Sequence, residues 1–395
     1  MLYRRFGKTE IKMPVFTCSG MRFQFSWNRS DTPTQQSKQK VKSTILRALE
    51  LGINHIETAY GYGTSEEEIG AVIKNLSRNS FILQTKASPR KDVNEFLKRI
   101  EESLKLLHVD YLDLFAIHGI NNEELLSYTL QKGGCLEAVL KLKKQGLVRH
   151  VGFSTHGSTD IILKAVKSGV FDFINLHWYY ILQDNWPAIM EANKRNMGVL
   201  IISPNDKGGK LYDPPEKLRK LTSPLSPMIF NDLFCLSRHE VSTLSIGAAK
   251  PADYDEHIKA LSFYEQRRDL ISPIVERLKS EFSTILGKEW AATWKEGLPH
   301  WYETPGNINI PVILYLWNLA RAYDMTEYGK MRFNLMGNAD HWFPGNKPDF
   351  LDKFDFSKCL KNSPHAHLIP SILKEAYSLL SGQEVRRLGG KSESV

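Results

Sequence analysis

Cysteine is scarce in this chain of 395 residues: Cys18, Cys135, Cys235 and Cys359 are far apart and form no CxxC pair. That spacing argues against a disulfide framework or a cysteine-built zinc site and suits a reducing compartment. Long apolar runs are missing too. Nothing approaches the roughly 18 consecutive apolar residues of a membrane span, and the opening MLYRRFGKTE has no apolar segment of the signal-peptide kind. The net charge is +8, yet there is no basic block. Lys and Arg are spread through the chain and are densest on predicted helix faces, which reads as a solvated surface and not as a nucleic-acid footprint. A modestly basic protein also suits an anionic cofactor. No GxGxxG follows the first predicted strand. With 42% hydrophobic and 24% charged residues, the composition is that of an ordinary globular protein. The expectation is a cytoplasmic protein with no nucleic-acid or membrane partner; nothing in the sequence sets an oligomeric state.

What the chain does have is a repeat of short apolar runs followed by amphipathic helical stretches. VFTCSG precedes VKSTILRALELG, INHIETA precedes SEEEIGAVIKNL, and SFILQTK precedes VNEFLKRIEESLKLLHV. LDLFAIH, VRHVGFS, FDFINLHW, MGVLIISP and VSTLSIGA continue the series. About eight such units over roughly 260 residues are the expected size of a (β/α)₈ TIM barrel. The rival is a doubly wound open sheet, disfavoured by the absent glycine fingerprint. The segment LYRRFGKTEIKMPVF reads as a hairpin that caps the barrel bottom. We therefore expect a barrel domain over 1–268, a smaller, mostly helical region over 269–385 and a loose tail over 386–395.

Three successive predicted strands end on a titratable group: Glu57, Lys86 and His118. That rim is where (β/α)₈ enzymes build their sites. Tyr62 follows Glu57 within INHIETAYGYGTSE, between Gly61 and Gly63, and can lean over the same opening. Singly, each has a bland reading: a solvated lysine, a hydrogen-bonded histidine, a structural Glu–Lys pair. Together they can perform a defined reaction. A phenol titrates near 10 and is a poor acid at neutral pH, but a neighbouring ammonium favours the phenolate. Glu57 can hold Lys86, His118 can align a carbonyl oxygen, and Tyr62 can protonate that oxygen as a hydride reaches carbon. No side chain donates hydride, so a nicotinamide cofactor is required.

INHIETAYGYGTSEEEIG resembles the DTAxxYGxSE segment of the aldo-keto reductase superfamily, and ILQTK, DLFAIH and VRHVGFST resemble its next segments in order. The resemblance covers roughly residues 1–265. It implies a nicotinamide-dependent carbonyl reductase with Tyr62 as general acid, supported by Lys86, His118 and Glu57. Glu57 stands where the family usually has Asp. In that family the dinucleotide crosses the ends of the later strands. The resemblance places Ser154 and Thr155 at the Ser-Asn pair that holds the nicotinamide amide. It puts the usual Gln near Leu176 or His177, and the usual stacking aromatic at Ile202, with Trp178, Tyr179 or Tyr180 as substitutes. The loop SPNDKGGK, with Ser203, Pro204, Asn205, Lys207, Gly208, Gly209 and Lys210, can wrap a pyrophosphate with backbone amides and charge. IGAAKPADYDEH, with Gly247, Lys250, Asp253 and His257, resembles the segment that grips the adenine end. Lys250 suits a 2′-phosphate and Asp253 opposes one; the expected cofactor is NADP(H).

The region after residue 285 resembles, to about 380, the C-terminal ferredoxin-like domain of some aldo-keto reductase relatives, in TPGNINIPVILYLWNLARAYD, EYGKMRFNLMG and CLKNSPHAHLIPSILKEA. The two cluster-binding runs of such domains fall here on Trp294, Gly297, His300 and Thr304, and on Lys353, Phe356, Cys359 and Ser363. One thiolate is left, and a [4Fe–4S] cluster takes about four cysteines, so no iron–sulfur cluster is expected. No metal site is expected either: His300, His341, His365 and His367 have no paired ligand spacing. Trp294, Trp301, Tyr302, Trp317, Trp342 and Phe343 are expected to fill the vacated space, and the region to lie beside the barrel mouth.

Two functional readings follow. In the first, the chain is an NADP(H)-dependent oxidoreductase acting on a small aldehyde or ketone substrate. In the second it is a cofactor-binding sensor with little turnover, motivated by Ile202, Glu57 and the lost cluster cysteines. A subunit passing electrons to a partner is disfavoured by the missing thiolates.

Overall fold

The computed structural model describes residues 1–337, 343–349 and 353–382. The tail expected over 386–395 lies outside the described residues, as do His341 and Trp342. The chain forms two compact units. One comprises Met1–Gly208 and Met228–Arg267; the other comprises Gly209–Pro227 and the described residues from Arg268 onward.

The first unit is a closed eight-stranded parallel barrel, so the open doubly wound sheet is ruled out. An antiparallel hairpin, β1 (Tyr3–Arg5) and β2 (Lys12–Pro14), precedes it. The barrel strands are β3 (Phe16–Ser19), β4 (His55–Glu57), β5 (Ile82–Ala87), β6 (Leu112–Ile117), β7 (Val148–Ser154), β8 (Phe173–Leu176), β9 (Gly198–Ile202) and β10 (Thr243–Ile246). They pair in chain order, and β10 closes on β3. These strands are buried on both faces, which is why they read as short apolar runs between helices. Helix starts carry the side-chain caps that end the preceding loops. Thr34 accepts from Ser37 N, Asp92 from Asn94 N and Asn122 from Leu125 N.

The hairpin delivers Phe6 and Met13 into one buried cluster with Leu114, Ala116, Phe173 and Leu200. Gly7 makes that approach possible: its φ is +55°, and a Cβ there would come within 2.3 Å of Gly198 N. With its apolar plug at one end, the barrel offers side chains to a ligand at the other, where the strands finish.

The second unit is helical, with Glu216–Thr222, Lys288–Thr293, Ile310–Tyr323, Thr326–Phe333, Ile369–Leu380 and most of Arg267–Leu286. Residues 209–227 group with it despite lying between β9 and β10 in sequence. Its core is built on the apolar helix Ile310–Tyr323, with Trp317 edge-on to Trp290 at 5.9 Å. The Trp290 indole donates to Asn318 Oδ1 at 2.8 Å, which satisfies a buried N–H. Two expectations about this filling need correction. Tyr302 is 61% exposed and fills nothing, whereas Trp290, which the sequence reading passed over, is buried. Trp294 and Trp301 are half-buried, and Phe343 is buried.

Candidate active site

Glu57 ends β4, Lys86 is one residue from the end of β5, and His118 follows β6 directly. Strand pairing brings the three ends together, and Tyr62 comes from the turn after β4. That turn answers for its glycines differently. Gly63 has φ +55°, and a Cβ on it would fall 2.0 Å from Ser26 O, so only glycine fits. At Gly61 a Cβ would meet only His118 Cε1 at 4.0 Å, an ordinary contact.

Lys86 is the centre of the arrangement. It is 1% exposed, and its ammonium donates to Glu57 Oε2 and, at 2.7 Å, to Thr58 O. It also hydrogen-bonds the Tyr62 side chain, with Nζ 4.9 Å from that ring's centroid. An ammonium has three donors, and these partners use all of them. The His118 ring stands edge-on to Tyr62, centroids 5.8 Å apart. Glu57, one methylene longer than the Asp usual in the resembled family, uses its length. While Oε2 meets Lys86, Oε1 accepts from Ser19 Oγ at 2.7 Å and Ser245 Oγ at 2.9 Å. Those hydroxyls come from β3 and β10, and sequence reading missed both.

The electrostatics follow from burial and partners. Burial pushes the Glu57 carboxyl up, but the Lys86 ammonium, with hydrogen bonds from Lys86, Ser19 and Ser245, outweighs it and holds the group below its usual range. For Lys86, burial pulls down, while Glu57 and then Tyr62 outweigh it and raise the group. The consequence for stability has a definite sign. The Glu57 contribution is complete above the unfolded carboxylate value, about 4.3, and is lost as pH falls through the lower folded value. The Lys86 contribution is complete below about 10.4 and is lost as pH rises through the higher folded value. The Tm advantage of wild type over Glu57→Gln/Lys86→Met is therefore expected to be flat from about pH 5 to 10 and to shrink on both sides. Melting curves across pH check this; an advantage that does not change with pH refutes it.

The residues expected at a cofactor are placed as follows. Ser154 ends β7 and its Oγ accepts from Gly119 N at 3.2 Å. The Thr155 hydroxyl donates to Ile120 O at 2.7 Å and so staples that loop. Leu176, His177, Trp178 and Tyr179 are all buried. Trp178 stacks on Phe234 at 5.0 Å and the Tyr179 hydroxyl donates to Ile202 O, so neither presents a free face as the substitute aromatic. Tyr180 is half-buried, edge-on to Phe230 and Phe234. His177 stacks on His156, with Nε2 2.6 Å from His156 Nδ1 and 3.5 Å from Lys207 Nζ. Ser203, Pro204, Asn205, Lys207 and Gly208 form a turn in the barrel unit. A Cβ at Gly208 would lie 2.0 Å from Pro204 O, which Asn231 Nδ2 also contacts at 3.2 Å. Gly209 and Lys210 belong to the second unit, where Lys210 pairs with Asp213 at 2.7 Å.

At the end of β10, Gly247 is half-buried and Lys250 exposed. The Asp253 carboxylate folds back to accept from Ala249 N and Lys250 N, at 2.8 and 3.2 Å, so it caps its own turn. His257 is 1% exposed and its Nδ1 lies 2.5 Å from Asp232 Oδ2, a buried pair facing a helix. One residue that sequence reading overlooked is Asn175, on β8 opposite Ser154. Its side chain is fully buried and both its Oδ1 and Nδ2 lack a partner. A carboxamide with an unmet donor and an unmet acceptor is the complement of another primary amide, such as that of a nicotinamide. Among the described residues no group of three or more His, Cys, Asp or Glu converges as a metal site.

A closed (β/α)₈ barrel with a phenol, an ammonium, a carboxylate and an imidazole gathered at its strand ends defines a class that comparison narrows. Residues 21–211 match the model of the Aldo/keto reductase family. The uncharacterized oxidoreductase YqkF of Bacillus subtilis is 25% identical over 280 residues, covering 62% of this chain and 89% of that protein. The L-galactose dehydrogenase of Arabidopsis thaliana is 24% identical over 292 residues, covering 65% of this chain and 87% of its own length. In fold, the chain is similar to the aldo-keto reductase from Klebsiella pneumoniae solved in complex with NADPH. That match has a TM-score of 0.53 at 18% identity, over 68% of this chain and 93% of that one.

Proposed function

We propose that this chain is an NADP(H)-dependent reductase of small aldehydes or ketones, with Tyr62 as general acid. One observation carries the reading: the buried Lys86 ammonium, fixed by Glu57 and Thr58 O, turns its remaining donor to the Tyr62 side chain. An ammonium so placed favours the phenolate and makes the phenol a better acid. His118 donates to the carbonyl oxygen and aligns it, and Tyr62 passes its proton to that oxygen. A bound nicotinamide supplies the hydride. Asn175 and Ser154 suit its carboxamide, the Ser203–Gly208 turn with Lys207 its pyrophosphate, and the exposed Lys250 a 2′-phosphate. Asp253, engaged with its own turn, is held by those amides. The Klebsiella relative's NADPH supports this choice of cofactor. The test is NADPH oxidation with a panel of activated aldehydes, alongside NADPH affinity by fluorescence. Turnover supports the reductase; tight binding with no turnover on any member overturns it in favour of the sensor.

For the second unit we propose a ferredoxin-like domain whose clusters have been replaced by side-chain packing. The buried Trp290–Trp317 contact and the apolar helix Ile310–Tyr323 support it. Native protein is expected to contain no stoichiometric iron or acid-labile sulfide, and finding them in cluster amounts refutes the proposal. The thiols of Cys18, Cys135, Cys235 and Cys359 are all unpaired, which supports a reducing, cytoplasmic setting.

A further inference from the structure

The loop between β3 and the first barrel helix, MRFQFSWNRSDTP, reaches over the turn that carries Tyr62. Ser26 O accepts from Thr64 N at 2.9 Å, and the Thr64 hydroxyl accepts from Phe25 N at 2.9 Å. Arg29 makes the most extensive of these contacts. Its Nη1 donates to Tyr60 O at 2.5 Å and lies 3.4 Å from Gly63 O, the carbonyls on either side of Tyr62. The same nitrogen lies 3.1 Å from Glu66 Oε2, and Nη2 lies 3.3 Å from Glu102 Oε1. The guanidinium lies over the Tyr60 ring, with Cζ 3.8 Å from its centroid. Glu66 is fully buried, and its other oxygen accepts from the Thr85 hydroxyl at 2.6 Å. Thr85 is the neighbour of Lys86 on β5.

A continuous hydrogen-bonded path thus runs from the turn holding Tyr62, through Arg29 and Glu66, to the strand holding Lys86. We infer that Arg29 is a positioning residue, which sets the Tyr62–Lys86 approach without touching substrate or cofactor. This rests on the reductase reading above. A guanidinium suits the task because it is planar and offers several donors in a rigid fork; an ammonium is a point charge and cannot span carbonyls and carboxylates in one plane. Displacing a reacting group by about 1 Å costs up to about a hundredfold in rate.

Two variants test this. Arg29→Lys keeps the charge. Arg29→Met/Glu66→Gln removes the pair together, so no buried carboxylate is left unmatched. Both are expected to fold and to bind NADPH within about twofold of wild type, while kcat drops by about ten- to a hundredfold. The alkaline limb of the kcat–pH profile is expected to move upward. The Tyr62 share of the tyrosinate absorbance, wild type minus Tyr62→Phe, should shift upward with it. Folded variants with unchanged kcat, pH profile and phenol titration overturn the inference. If wild type shows no turnover, the reductase reading fails by itself, and the phenol titration still decides whether Arg29 sets the environment of Tyr62.

Discussion

Tyr62→Phe is expected to lower kcat by about a thousandfold or more, the upper part of the range for loss of a positioned general acid, while NADPH binds with wild-type affinity. Phenylalanine keeps the ring, so its edge-on contact with His118 survives, and Gly63 still lets the chain pass Ser26. What goes is one hydroxyl and the proton it delivers. Lys86 keeps Glu57 and Thr58 O as partners, so the buried charge stays matched and the fold should lose little. The split between kcat and cofactor affinity is the diagnostic part. A variant with near-normal turnover would remove Tyr62 from the mechanism, and one that also failed to bind NADPH would make it a binding residue instead. Single-turnover NADPH oxidation and fluorescence titration on the same preparation separate these results.

The barrel was legible because each strand is a short apolar run closed by a helix, a pattern that burial on both faces imposes. The strand-end residues were legible for the opposite reason: a charge at the end of such a run conflicts with its surroundings unless something meets it. What the sequence hid are partners brought together by topology. Ser245 reaches Glu57 across 188 positions, and a serine inside an apolar strand carries no mark of that contact. Asn175 looked like any polar residue beside an expected glutamine; only the strand register sets it opposite Ser154. Arg29 sits in a loop with no periodic pattern, and its contacts lie 31 to 73 positions away. His257 is the converse case. Its motif pointed to a cofactor, but a helix distant in sequence supplies Asp232 and makes it a buried pair. The grouping of residues 209–227 with the second unit was equally hidden, since local composition says nothing about which core a segment joins.

The largest combined effect on stability and rate is expected from Lys86→Met. Glu57 would then be left 2% exposed with its Oε2 unmatched and only the Ser19 and Ser245 hydroxyls on Oε1. Stranding one member of a buried pair costs about 3–5 kcal/mol, and part of that should be avoided by protonation of Glu57. The single variant should therefore be most destabilised at neutral and alkaline pH and recover as the carboxyl takes up a proton. Adding Glu57→Gln removes the stranded charge and keeps an oxygen for Ser19 and Ser245, so most of the stability should return in denaturant titrations. Turnover should not return, because no ammonium faces Tyr62. Losing it weakens the phenol as an acid, and both variants are expected to fall at least about a hundredfold in kcat, with any residual alkaline limb moved upward. Stability restored without activity separates the two roles of Lys86, matching a buried carboxylate and tuning a phenol. A double variant that regained turnover would show that Tyr62 needs no cation beside it, and the proton-transfer scheme would have to be abandoned.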